Sequence, residues 1–520
     1  MRVTMLLPTR WIKIFKDMWA NRMRSLLVIL SIAVGVAAVG MINGAAAMVR
    51  RDLYGEFAQG NPAQLEIYLS PFQKEVAQSV QGMREVKYAD ARRVVSAQAA
   101  GPKDKWEDIN LYALSDYGAA QVNLLVVEEG ASVPRSREIL LERNSAKGLG
   151  LKVGDTITVK MPGDRQFDLK VAGLVHDVYN LPYSLLHEVT GYVSMSTLQW
   201  MGEQPYYNRL DIVMAENGGD REHVLAVGDE IKDRVLTRAG YQVGSIQIPG
   251  VNAEPGEHWA HKQISGFLLV LQIMSVMAIL LAGGLIINTI SAMLAQQVQQ
   301  IGIMRAVGAA RMQLVGMYLF NVLVFSILGL LLAYPLGQLG GIGLAQFAAN
   351  VLNFDLSDIT ISPQVLLLQT VLGLLMPMAA ALVPILSGTR ISIYDAIYQQ
   401  GSERERGGNR LEKVLTKIRT ISPPILLSLR NTFRKKARLA FTLSTLTLAG
   451  AMFISVFSTR VSLTSQIRQI SHYIAYDATI DLTSSANRRA AEREALRVPG
   501  VTVAEGWATT RGKVQHLDGT

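Results

Sequence analysis

The sequence predicts a polytopic α-helical membrane protein that carries a large α/β extracytoplasmic domain and an internal repeat whose second half is incomplete. Three observations carry this prediction. The 520 residues are 49% apolar and only 18% charged, with positive mean hydropathy, a mixture that fits membrane spans plus at least one soluble domain. Charged residues are spaced so that several long intervals contain none. Between the first two of those intervals, residues 52–262 alternate apolar and polar side chains in short runs typical of strands.

A helix crossing the ~30 Å hydrocarbon core needs about 20 apolar residues. Charge-free intervals run from Arg24 to Arg50, Lys262 to Arg305, Arg311 to Asp355, Asp358 to Arg390 and Arg438 to Arg460. They place spans at 25–48, 264–290, 314–338, 364–387 and 439–459. The second interval covers 42 residues (263–304), roughly 63 Å as one helix at ~1.5 Å per residue. That is about twice the membrane core, so its glutamine-rich end must leave the bilayer.

Lys and Arg near the span ends set orientation. The segment 1–24 is basic, with Arg2, Arg10, Lys13, Lys16, Arg22 and Arg24, and so is the linker 390–438. The short loop between spans three and four holds Asp355 and Asp358 and no base. All three place the N-terminus in the cytoplasm, residues 52–262 outside, and residues 295–312 in the cytoplasm. The chain is thus expected to be a multi-pass protein of the inner or plasma membrane. The formal net charge of +9 is accounted for by these cytoplasmic clusters, and no nucleic-acid partner is expected. There is no cysteine, which excludes disulfides and thiolate metal sites.

The basic start and Ala45-Ala46-Ala47 also fit a cleaved signal peptide, although the apolar run is long for one. An internal repeat favours a retained anchor. Sliding the chain by 413 residues lays NRMRSLLVILSIAVGVAAV (21–39) on RKKARLAFTLSTLTLAGAM (434–452), and Leu65-Glu66-Ile67-Tyr68-Leu69 on Ala478-Thr479-Ile480-Asp481-Leu482. The stretch EALRVPGVTVAEGW then resembles a strand-turn-strand opening near residues 83–95, so residues 460–520 read as the start of a second extracytoplasmic domain. Either the chain is a fragment of a duplicated protein with four spans per half, which we favour, or its second half is degenerate.

Within 52–262, Thr156-Ile157-Thr158-Val159-Lys160 and Phe167-Asp168-Leu169-Lys170-Val171-Ala172 predict strands joined by a Pro162-Gly163-Asp164 turn. EILLERNSAKGLGLKVGD predicts a strand, a short helix and a glycine-capped turn. Residues 221–239 predict a helix with Val224, Val227, Ile231 and Val235 on one face.

Between spans two and three lies QQVQQIGIMRAVGAARMQL (296–314). As a helix it lines up Ile301, Met304 and Val307, sets Arg305 off that stripe, and ends at Gly308. A short helix of low charge lies on the membrane surface or docks in a partner's groove. On the residues alone, a plain turn with Arg305 and Arg311 as positive-inside anchors is equally open.

Four features together carry a resemblance: the order of one span, a large outer domain and three spans; LLERNSAKGLGLKVGDTITV followed by FDLKVAGLVHD; QQVQQIGIMRAVGAARMQL; and RISIYDAI (390–397) after span four. The chain resembles the FtsX/MacB-type, mechanotransmission-class permeases of ATP-binding-cassette systems, and its outer domain resembles their MacB-like periplasmic core. The family pattern has an acid where this chain has Gln297 or Gln300, and usually Asp-Pro where it has Tyr394-Asp395. The resemblance implies a coupling helix with Gln300, Ile301, Gly302, Ile303, Arg305, Ala306, Gly308 and Ala309 at the ATPase contact, and a second cytoplasmic contact at Arg390 and Asp395. It implies a separate cytoplasmic ATPase dimer as partner. No G-x-x-x-x-G-K-[ST] occurs, so this chain is not expected to hydrolyse ATP or to need a cofactor.

Other motifs yield little chemistry. His258-Trp259-Ala260-His261 lacks an evident third metal ligand and reads as juxtamembrane surface, with Trp259 as an interfacial anchor. His176-Asp177 and His187-Glu188 have no nucleophile motif nearby and read as outer-domain surface. Gly283-Gly284, Gly337 and Gly340-Gly341 permit close helix packing, and Pro377 and Pro384 kink span four. No ionisable residue lies inside a span, which argues against an ion-coupled transporter. Three function classes follow. The first is a permease exporting or extracting a lipid-linked, peptide or amphiphilic substrate. The second is a scaffold that activates an extracytoplasmic wall hydrolase without transport. The third, an outer-domain enzyme, has no catalytic constellation behind it. An extracytoplasmic adaptor or hydrolase is a further possible partner.

Overall fold

The computed structural model describes residues 16, 18–102, 105–114, 116–250, 253–360, 362–390, 436–473 and 487–506. The chain divides into two units, Met1–Met452 and Phe453–Thr520. Most of the linker 390–438, Asp395 and the repeat strand at 478–482 lie outside the described residues.

Among the described residues four helices are long and apolar enough to cross a membrane: α1 (Arg22–Gln59), then α7 (His261–Gln296), α9 (Arg311–Leu352) and α10 (Pro363–Gly388), numbered here in chain order around the helices between. Lipid leaves backbone groups nothing to bond but each other, so apolar runs of this length become helices. Three of them continue past the apolar runs. At ~1.5 Å per residue, α1 with 38 residues, α7 with 36 and α9 with 42 reach roughly 57, 54 and 63 Å. Only α10, with 26, matches the bilayer.

One buried cluster joins Val28, Ile32 and Val36 of α1 to Ile286 and Ile290 of α7, Val322 and Phe325 of α9, and Ile385 of α10. A second joins Met48, Val49 and Leu53 of α1 to Ile264, Leu268, Ala345 and Phe354. Glycines let the backbones approach. A β-carbon at Gly40 of α1 would overlap the amide of Gln369 on α10, and one at Gly337 of α9 would lie 3.5 Å from the Cα of Gly40. Gln369, 1% exposed, donates from Nε2 to the carbonyl of Val36 (3.3 Å), a polar tie of the kind that holds spans together.

The α/β domain sits between α1 and α7. Its ten strands are β1 (Leu65–Phe72), β2 (Val86–Ala100), β3 (Trp106–Leu114), β4 (Val126–Gly130), β5 (Glu138–Glu142), β6 (Thr156–Met161), β7 (Arg165–His176), β8 (Val189–Ser194), β9 (Tyr207–Met214) and β10 (Val243–Gln247). They form one mixed sheet in the order β10-β1-β9-β2-β3-β8-β5-β7-β4, with β6 against β2 and β7. β3 with β8 and β5 with β7 are parallel; the other pairs are antiparallel. The two larger hydrophobic cores among the described residues of the domain share this sheet. The helices α2 (Lys74–Gln81) and α6 (Arg221–Ile231) cover β1, β2 and β9 with Val76, Val80, Val224, Val227 and Ile231. The helices α3 (Arg143–Leu149) and α5 (Met195–Trp200) cover the other core, built on Ile109, Leu141, Val159, Val171 and Val193. A single turn, α4 (Tyr183–Leu186), precedes β8.

The predicted strand pair closes at Pro162-Gly163-Asp164, where Gly163 and Asp164 have φ of 84° and 62°. The predicted strand-helix-turn is β5, α3 and Gly150, with φ of 73° at the cap. One prediction needs correction. After Ile231 the helix widens into a π turn over Lys232–Leu236, in which the N–H of Thr237 bonds to the carbonyl of Lys232. The extra residue shifts the phase, so Leu236 is buried and Val235 only half-buried.

Arg92 sits where β2 leaves β9 and joins β3. Its Nε lies 2.7 Å from Asp211 Oδ2, and Arg209 Nε lies 2.7 Å from Asp211 Oδ1, with all three side chains 6% exposed or less. Two guanidinium groups thus share one buried carboxylate.

In the second part of the chain, α11 (Lys436–Tyr473) and α12 (Arg488–Ala495) are helical. Shifted back by 413 residues they fall on 23–60 and 75–82, within one residue of α1 and α2. The opening of the EALRVPGVTVAEGW stretch is therefore the end of a helix, and residues 496–506 are turns and irregular chain rather than the expected strands.

Gly40→Leu is expected to lower the melting temperature of the detergent-solubilised protein by an overpacking cost of about 1–3 kcal/mol. Gly55→Ala, at a helical position with open space around it, should be neutral or stabilising in the same melt. Asp211→Asn leaves buried Arg92 without its carboxylate and Arg209 with only Glu66 at 3.5 Å, and urea unfolding should read a loss of about 3–5 kcal/mol.

Candidate functional site

Two places in the first unit couple elements that are distant in sequence. One is the hairpin between α7 and α9. The other is the neck, where α1, the α9–α10 loop and the α/β domain meet.

At the hairpin, α7 ends at Gln296 and α8 (Val298–Ala306) begins after Gln297, whose φ of −98° and ψ of 9° turn the chain. Gln297 is buried, and its Oε1 accepts the Tyr318 hydroxyl of α9 at 2.8 Å. Ile301 is 1% exposed against Leu294, Leu314 and Tyr318, and Met304 packs half-buried beside it. Gly308, with φ of 102°, ends the helix: its N–H bonds to Arg305 and that of Ala309 to Met304, the paired pattern of a left-handed helix cap. Ala310 then starts α9, its N–H bonding to Gln313 Oε1, while Arg311 donates to the carbonyl of Leu386 at 3.2 Å. The helix is therefore held at both ends.

The predicted contact residues separate into two sets. Ile301 and Gly302 are buried and hold the helix to the bundle. Gln300, Ile303, Ala306 and Gly308 are exposed, and Arg305 and Ala309 are half-exposed. Val307 departs from the predicted stripe: it is 86% exposed and stands on the outer side with Ile303 (51%) and Met312 (72%). Of the two glutamines, Gln297 turns inward and Gln300 outward. Arg390 is exposed at the end of α10; Asp395 lies outside the described residues.

The hairpin lies at the N-terminal end of α1. Arg24 of α1 donates to the side chain of Gln296, and Val28 shares the cluster that buries Ile301. From there α1 runs unbroken to Gln59 at the neck.

At the neck two histidine predictions are overturned. His176 and Asp177 are 3% and 2% exposed, and His258 is fully buried, its ring edge-on to Phe57. Burial pushes His258 down to about 4, so it is neutral, and its Nδ1 accepts the N–H of Ala260. His187, by contrast, is exposed. These burials escape sequence reading because the covering residues come from α1 and the α9–α10 loop, remote along the chain.

His176 Nδ1 lies 2.6 Å from Glu56 Oε1 and 3.5 Å from Asp355 Oδ2. Asp355 is held through both oxygens by Arg143 (2.8 and 2.9 Å), which also donates to Asn353 Oδ1 (2.7 Å). Asn353, left-handed with φ of 58°, donates to Glu142 Oε1 (2.9 Å) and the carbonyl of Asp177 (3.1 Å). Beside it Arg51 pairs with Asp52 and Asp358. Acidic, imidazole and guanidinium groups from α1, the α/β domain and the α9–α10 loop are thus tied together in one cluster.

Replacing Tyr318 by Phe leaves the buried Gln297 carbonyl without its donor, worth about 1–3 kcal/mol. Hydrogen exchange of the amides between 297 and 307 should accelerate roughly 5- to 150-fold by that amount, with the exchange of the α/β domain unchanged.

Residues 272–393 match the model of the FtsX-like permease C-terminal family, and residues 25–233 match that of the MacB-like periplasmic core domain. An uncharacterized ABC transporter permease protein of Mycobacterium tuberculosis is 24% identical over 275 residues, which is 52% of this chain and 30% of that protein. The chain thus spans under a third of this curated relative. Among solved structures, the extracellular domain of the noncanonic ABC-type transporter YknZ from Gram-positive bacteria is 16% identical, with a TM-score of 0.26 covering 35% of this chain and 98% of that one. The periplasmic region of MacB from Actinobacillus actinomycetemcomitans is 12% identical, with a TM-score of 0.25 covering 37% and 92%.

Proposed function

We propose that this chain, which belongs to the FtsX/MacB-type permeases of ATP-binding-cassette systems, transmits the motion of a separate cytoplasmic ATPase dimer through the membrane to its α/β domain, and so exports or extracts a lipid-linked, peptide or amphiphilic substrate. In this reading the hairpin end of the bundle and the N-terminus are cytoplasmic, and the α/β domain is outside.

One observation carries the reading. α8 is anchored by Ile301 and Gln297, presents Ile303 and Val307 outward, and shares a packed cluster with the foot of a helix that continues to the α/β domain. A push on α8 has a stiff path of roughly 57 Å along α1. An apolar, weakly charged outer face suits a groove in a partner, with Gln300 contributing a hydrogen bond in place of an ion pair. Coupling further requires that the ATPase bind two conformations of the permease with different affinity.

The test is ATP hydrolysis by the partner ATPase reconstituted with the permease in lipid. Ile303→Glu changes only the outer face and should reduce permease-dependent stimulation at least about tenfold, the cost of burying a charge in an apolar groove. Arg305→Glu and Gly308→Leu, the second straining a left-handed position, should do the same, with membrane insertion intact in all three. Full stimulation by all three variants would refute the assignment of α8. Substrate-dependent stimulation supports transport, whereas stimulation only by an extracytoplasmic wall hydrolase would favour the signalling alternative.

A further inference from the structure

We propose that the neck is a proton-operated clasp, in which the imidazolium of His176 ties the α/β domain to α1 and to the α9–α10 loop, and its deprotonation releases that tie. The geometry is the reason. His176 Nδ1 faces the carboxylate of Glu56 on α1 at 2.6 Å. His176 Nε2 faces the carbonyl oxygen of Asn353, at the start of the loop after α9, also at 2.6 Å. A carbonyl and an ionised carboxylate only accept hydrogen bonds. Both ring nitrogens must therefore donate, and an imidazole donates twice only when it is protonated. His258, a few residues from the foot of α7, makes the contrast: its Nδ1 accepts a backbone N–H.

The three parts joined are otherwise far apart in sequence, and the proton sits where they meet. Losing it removes one of the two bonds outright and strips the other of its charge assistance. The groups around the ring are Glu56 from α1, Asp355 from the loop, Arg143 from the start of α3, Glu142 and Asp177 beside it, and Glu128 on β4 through Arg143. Arg143 opposes the imidazolium, and the carboxylates favour it. Asp355, with a side chain 64% exposed, gives solvent protons access to the ring. Burial lowers the affinity of His176 for its proton, but the bonds to Glu56 and Asn353 outweigh burial, and the net displacement is upward from 6.5. The sign follows. A raised folded-state value means that the stabilisation is fully present below about pH 6.5 and is lost as pH rises through the raised value. Extracytoplasmic acidity holds the clasp, and alkalinity opens it.

The natural absence of cysteine makes a clean distance measurement possible in the full chain, in lipid nanodiscs. Val126→Cys on the domain and Ile359→Cys on the loop are both at exposed positions, 55% and 49%. Spin labels there should report one narrow distance at pH 6. Between about pH 6.5 and the raised value, the ratio of clasped to open populations should fall by up to about tenfold per pH unit, the limiting slope for one proton, and level off above it. His176→Gln should give the open distribution at every pH. Glu56→Gln should shift the transition to lower pH, and this variant, which preserves size, serves if His176→Gln does not fold. Nitrogen-15 imidazole resonances of His176 should move with the same midpoint as the distance. A distance independent of pH while His176 titrates would overturn the proposal. So would a narrow distance that EDTA abolishes and zinc restores, since that would make Nδ1 a metal ligand.

Discussion

The rest of the structure depends on the refusal of α1 to end. A helix that stopped at the membrane surface would leave its last four carbonyls to be capped. Instead the backbone ladder continues for the full 38 residues, past Arg50 and Arg51, and terminates only at Gly60 inside the neck. Bundle and α/β domain therefore share one stiff element, and each packs on it separately: α9 through Ile32, Val36 and Met48, the domain through Glu56 and Phe57. Any rearrangement of the bundle that tilts α1 must move its far end, where Glu56 meets His176.

What was legible in the sequence follows from this physics. Charge-free intervals located α1, α7, α9 and α10, because lipid tolerates little else. Turn chemistry located the hairpin at Gly163 and the caps at Gly150 and Gly308, because a positive φ leaves a residue signature. The fate of Val235 was not legible: a single π turn exchanges it for Leu236, and nothing in the apolar pattern announces the extra residue. Nor was the continuation of α1 legible, since three charged residues end the hydropathy signal without ending helix propensity.

The neck was read least well, for a different reason. Polar residues look like surface unless their partners are known, and those of His176 lie about 120 residues before it and 180 after it. Composition described a helix end, a strand end and an acidic loop as separate polar segments. Burial came from their convergence. The helix α8 lay between these extremes. Its place and cap were readable, but which of its apolar residues face inward was decided by Tyr318 and Leu314 across the hairpin.

β2 has a mechanical consequence. Its fifteen residues pair with β9 over 86–92 and with β3 over 92–100, so one strand threads both hydrophobic cores. Tension between the lobe nearest α1 and the remote lobe that acts along this strand is borne in shear, by many ladder bonds at once. Unzipping geometry would break them one at a time. Where the two pairings meet, Arg92 and Arg209 both hold the buried Asp211, so the crossing point is tied as well. Force passed from one lobe to the other along β2 would therefore meet an arm that is stiff in extension.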